Sequence, residues 1–144
     1  MARASLLSRS EITLALLFSK EALFESYIAT ELKKMIYSGY ALSVQDKTCH
    51  LFDEPRKFLM NPDIIIRNKA LGQVFVIETK QKALSDAKAN YGNSQSDIYQ
   101  MYAYQKKYTS ENVILLYSLT ERAEQDKNIE FLSHDGAQIK VRFD

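Results

Sequence analysis

The chain has 144 residues, 19 of them basic and 18 acidic for a net charge of +1, with 46% hydrophobic residues, two prolines, four glycines and one cysteine. That length carries a single domain with its own core, residues 1–144, and that composition excludes a disordered or low-complexity chain. Cys49 alone rules out an intrachain disulfide or a cysteine-ligated zinc or iron–sulfur site, and no apolar run reaches membrane-spanning length, so a soluble cytoplasmic protein is expected.

Residues 1–18 give no clear assignment; Ile12 to Phe18 reads as a short strand or as the start of a helix. Ser19 is a candidate N-cap for a helix from Lys20 to Tyr37, with apolar residues at Leu23, Phe24, Tyr27, Ile28, Leu32, Met35 and Ile36 and a stop at Ser38-Gly39. Glu25 begins to turn away from that stripe, as a solvated acid would. Tyr40 to Val44 and Thr48 to Phe52 flank Gln45-Asp46-Lys47 and predict two strands or one bent hairpin. His50 and His134 have no second ligand at metal spacing and are expected to be structural.

The chain is organised around residues 61–80. Ile64 to Ile66 and Val74 to Ile77 are β-branched or aromatic runs, and Asn68 to Gly72 between them supplies turn residues, which predicts an antiparallel hairpin. Such a hairpin brings Asp63, where the first strand begins, close to Glu78, where the second finishes. Alternation along the strand puts Glu78 and Lys80 on one face and Thr79 on the other. Two carboxylates and an ammonium converging in this way are costly to bury unless a divalent cation sits with the acids, because like charges raise each other's pKa and a cation reverses that effect.

Residues 81–94 form a polar connection. Gln95 to Tyr108 predicts a second helix, capped by Ser94 or Ser96, with Gln100 and Tyr104 four apart on one face and Ile98, Met101, Tyr102 and Tyr108 as its core stripe. Val113 to Tyr117 reads as a strand. Phe131-Leu132 and Ile139 to Phe143 read as closing strands about an Asp135-Gly136 turn.

Pro62-Asp63 followed by Glu78-Thr79-Lys80 resembles the signature of the PD-(D/E)XK nucleases, and Gln100-x-x-x-Tyr104 on the next helix resembles the RecB-like members of that superfamily. Asp97 to Tyr104, with Leu17-Phe18 and Leu23 to Ala29 upstream and Val113 to Tyr117 downstream, is similar to McrC, the nuclease subunit of the McrBC restriction system, over residues 17–117. The resemblance implies a restriction-endonuclease-like α/β fold, a central mixed sheet flanked by helices with an α-β-β-β-α-β core. It implies a Mg²⁺- or Mn²⁺-dependent DNA endonuclease in which Asp63, Glu78 and the Thr79 carbonyl hold the metal and Glu25 reaches it from the first helix. Lys80 would activate water and stabilise charge on the phosphate, while Gln100 and Tyr104 would position the DNA backbone or the metal ligands. McrC proteins usually carry a further N-terminal portion that engages the motor subunit, and this chain reads as lacking it. The implied partners are DNA and a GTP-dependent, McrB-like AAA+ motor that carries specificity, with pairing to a second copy as a further option. A silent DNA-binding or assembly module and a RecB-like repair exonuclease are the alternatives.

Overall fold

The β4–β5 hairpin, Ile64–Asn68 and Val74–Lys80, forms the centre of a six-stranded mixed sheet. The computed structural model describes residues 8–81, 93–118 and 128–143, so most of the predicted 81–94 connection lies outside the described residues. Sheet order is β1-β4-β5-β6-β8-β7, with β1 at Tyr40–Val44, β6 at Asn112–Tyr117, β7 at Ile129–Leu132 and β8 at Gln138–Phe143. Strands β1, β4 and β5 pair antiparallel, β5, β6 and β8 pair parallel, and β7 returns antiparallel on β8. Helix α2, Gln95–Tyr108, is the crossover that two parallel neighbours such as β5 and β6 require. With α1, Arg9–Met35, the order α1-β1-β4-β5-α2-β6 is the expected α-β-β-β-α-β core.

The two helices cover opposite faces of the sheet, which explains the unbroken apolar run Ile64 to Ile66 that opens β4. Ile64 and Ile66 join Ile28, Ala29 and Ile77 beneath α1, while Ile65 joins Val76, Met101, Tyr104, Val113 and Leu115 beneath α2. A strand covered on both faces needs apolar side chains at consecutive positions.

Three expectations change. Helix α1 does not begin after Ser19 but runs through it, because Ser8, well upstream, caps the helix: its Oγ accepts from the Glu11 N–H at 3.2 Å and its N–H donates to Glu11 Oε2 at 2.7 Å. That reciprocal Ser-x-x-Glu box satisfies two otherwise unpaired donors, so the helix also takes in the run from Ile12 to Phe18. Second, β1 does not form a hairpin with the next strand. Gln45 adopts a left-handed φ of 49°, its N–H donates to the Asp63 carbonyl at 2.8 Å, and β1 pairs with β4. The next strand, β2 at His50–Asp53, pairs instead with β3, Arg56–Leu59, in a separate two-stranded ribbon that local patterning did not reveal. Third, α2 is capped by Ser94, one of the two expected caps, but its buried stripe is Met101, Tyr104 and Tyr108, with Tyr102 exposed and bonded to Asp135.

Candidate active site

The hairpin register decides the site. Ile64 lies opposite Ile77, so Asp63 and Glu78 stand one step further on, at the same end of the two central strands. The Asp63 N–H donates to Glu78 Oε2 at 3.2 Å, and Asp63 Oδ2 accepts from both the N–H and the hydroxyl of Thr79, each at 2.8 Å. Thr79 was expected to point away, but its hydroxyl belongs to the site: Asp63 precedes the strand, so its carboxylate is free to reach round the strand end to the Thr79 side. Lys80 follows the alternation, with Nζ 3.7 Å from Glu78 Oε1 and 3.6 Å from Asp97 Oδ1 in the first turn of α2.

Glu78 is 6% exposed. Burial, followed by the charge of Asp63, pushes its carboxyl up to about 7, against the smaller opposing pull of Lys80 and the Asp63 N–H. Glu25 is also raised, first by partial burial and next by Asp63, with a hydrogen bond from Gln45 working the other way. The Gln45 amide links the acids: Nε2 donates to Glu25 Oε1 at 2.7 Å and to Asp63 Oδ1 at 3.2 Å, and Oε1 accepts from Asn61 Nδ2 at 2.7 Å.

Glu21, Ala22, Glu25, Gln45, Asp63, Glu78, Thr79 and Lys80 line one cavity of about 530 Å³ between α1 and the end of the sheet. Five of the seven sequence-predicted residues therefore meet there. Gln100 and Tyr104 do not line it. Gln100 Nε2 donates to the Tyr104 hydroxyl at 3.0 Å, and the ring is 3% exposed beneath the acids, with its phenol raised by burial and by the charges of Glu78 and Asp63. A ring so enclosed offers no surface to a DNA strand, while Gln100 beside it is half-buried. Sequence reasoning missed Gln45, Asn61 and Asp97. Only Asp97 carried a signal, an acid in the first turn of a helix directly after a Glu-x-Lys strand.

Among the described residues, no group of three or more His, Cys, Asp or Glu side chains stands as a ready metal-binding set. Asp63 and Glu78 offer hard oxygen donors, and the Glu78 carboxyl is pushed up first by burial and then by a like charge that a cation would offset. Two carboxylates suit Mg²⁺, which keeps several of its waters and is commonly held by one or two acids. The donor chemistry therefore fits a small divalent cation.

A family model described as McrBC 5-methylcytosine restriction system component matches residues 2–118. The chain belongs to this McrBC family. No curated protein sequence matches it. Among solved structures, this McrBC-family chain is similar to a chain of the refined half-complex from the tetradecameric assembly of Thermococcus gammatolerans McrB AAA+ hexamers with bound McrC. Identity is 17% and the TM-score 0.66, over 85% of this chain and 27% of that one, so this chain spans about a quarter of its neighbour's length. The match at that identity establishes a shared fold. MunI restriction endonuclease in complex with cognate DNA is a more distant neighbour, at 12% identity and a TM-score of 0.35 over 56% of this chain and 58% of that one.

Proposed function

We propose that this chain is the nuclease portion of a restriction system and hydrolyses DNA phosphodiester bonds with Mg²⁺, or Mn²⁺ in its place. The observation that carries this reading is the convergence of Asp63, buried Glu78 and Lys80 on one open cavity at the end of the central hairpin. Asp63 and Glu78 would hold the cation, with the backbone carbonyl of Thr79 as a further oxygen and Glu25 at the cavity wall. A bound cation supplies charge neutralisation on the phosphate and on the departing oxygen.

The remaining work falls to the chain. Thr79 fixes Asp63 Oδ2 with two donors, so the carboxylate cannot rotate away from the site. Lys80, held between Glu78 and Asp97, presents a compact ammonium to the phosphate and stabilises the charge that grows on its oxygens as water attacks and the P–O bond breaks. Gln100 would hold the Tyr104 hydroxyl against the Asn61 backbone, two residues before Asp63, and so brace the segment that carries this acid. The partner would be a GTP-dependent, McrB-like AAA+ motor, a reading supported by the family and by the McrB–McrC assembly that contains the structural neighbour.

Plasmid cleavage with Mg²⁺, with and without such a motor, tests the reading. Asp63→Asn and Glu78→Gln are expected to abolish cutting at unchanged fold, and Lys80→Ala to slow it by about 10²-fold or more while cation binding survives. Wild-type rates in either acid variant would remove this site from the chemistry.

A further inference from the structure

We infer that Gln45 is a cation-responsive ligand of this site: its amide faces Glu25 and Asp63 with the NH₂ group, and a divalent cation held by the acids turns it so that Oε1 faces the cation. The inference rests on the metal-dependent reading above and extends it to a residue outside the signature.

The backbone of Gln45 is fixed. Its N–H is bonded to the Asp63 carbonyl at 2.8 Å, and the next residue, Asp46, is buried, with its carboxylate accepting from the Thr48 N–H and hydroxyl and from the Tyr108 hydroxyl. The left-handed φ of 49° is uncommon for a residue with a side chain, and such a conformation persists where the surroundings over-determine it. Only the side chain is then left to respond. Its N–H groups now occupy the lone pairs of Glu25 Oε1 and Asp63 Oδ1, the same lone pairs a cation would claim.

An amide has an oxygen and a nitrogen of nearly equal size on one planar group, so turning it exchanges a donor for an acceptor with little change in packing. An oxygen aimed at two carboxylates is unfavourable alone and favourable beside a divalent cation, which takes side-chain amide carbonyls as ligands. The turn would break the bond from Asn61 Nδ2 to Gln45 Oε1 unless Asn61 turned too. Asn61 is suited to that, because its own Oδ1 is buried with no hydrogen-bond partner in the structure. A matched turn brings this oxygen round to accept from Gln45 Nε2. The bond between the amides survives with its polarity reversed, and a site in which no three acids among the described residues form a ready ligand set gains a neutral oxygen.

Calorimetric titration of the folded chain with Mg²⁺, without DNA, provides the test. Gln45→Met, of similar length without polar ends, is expected to weaken Mg²⁺ binding by about tenfold, and Gln45→Glu, which keeps an oxygen, to retain it. In wild-type protein, the side-chain amide resonances of Gln45 and Asn61 should shift together during the titration while those of Gln138, bonded to Glu130 at the far edge of the sheet, stay in place. Equal or tighter binding by Gln45→Met would mean that the amide merely blocks the cation, and would overturn the inference while leaving the nuclease reading intact. A stationary Asn61 resonance during wild-type binding would overturn it equally, whatever the folding of the variants. Failure of wild-type protein to bind Mg²⁺ at all would remove the metal-dependent reading together with the inference.

Discussion

Glu78 is the residue at which stability and function oppose each other. Its carboxyl is raised from 4.5 to about 7, so between those values the folded chain holds a proton that the unfolded chain releases. The contribution of Glu78 to metal-free stability is therefore full below about pH 4.5, falls as pH rises towards 7 and levels off above it, a loss of up to about 3 kcal/mol. Glu78→Gln should flatten that slope and leave the metal-free variant more stable than wild type at pH 8 by about 1–2 kcal/mol, since it removes a buried charge but also the Lys80 ion pair. Chemical denaturation at pH 5 and pH 8, without and with Mg²⁺, measures this; a wild-type slope that persists in the variant would assign the titration elsewhere. Asp63, Glu78 and Lys80 were legible in the sequence because a strand's alternation and a hairpin's symmetry place charges predictably, whereas Glu25, on a helix, read as a solvated acid and was brought to the site only by the family resemblance. Gln45 and Asn61 were not, because an amide's role depends on which neighbours the chain brings to it, and those neighbours are 16 to 20 residues distant.

At the scale of elements, hydrophobic runs and turn residues were enough for the β4–β5 hairpin, for α2 and for the β7–β8 closure. They left β1 open between a separate strand and half of a bent hairpin, and could not name β4 as its partner, because a strand's pattern encodes which face is buried and not which strand lies beside it. Asp46 is the device that separates β1 from the ribbon. Burial disfavours its charge, yet bonds from Thr48 and Tyr108 with the Arg67 guanidinium at 3.5 Å outweigh that and hold its pKa below the usual carboxylate value. Asp46→Ala should cost about 2–3 kcal/mol by leaving the Thr48 N–H and Tyr108 hydroxyl without their acceptor. It should also weaken Mg²⁺ binding, since the adjacent Gln45 loses its fixed backbone. Thermal melts paired with the calorimetry distinguish this from a purely structural loss, in which affinity would stay constant.

Across the whole molecule the charges nearly cancel, with 19 basic residues against 18 acidic. Release of counterions scales with the phosphates a protein neutralises, so this chain alone should hold duplex DNA only weakly and without sequence preference, with a Kd of the order of 10⁻⁴ to 10⁻⁶ M at physiological salt. Labelled duplexes titrated at fixed salt, methylated and unmethylated, check this, and nanomolar selective binding would contradict it. The position of the acids carries a different consequence. Asp63 adjoins and Glu78 lies in two interior strands of the sheet, whose residues Ile64, Ile65 and Val76 are wholly buried between the helices. Local openings rarely reach such strands, so their amides should be among the last in the chain to exchange hydrogen with solvent. Partial unfolding at the far edge of the sheet, at β7, would thus leave both acids in register, whereas loss of β1 would release Gln45 and its bond to the Asp63 carbonyl.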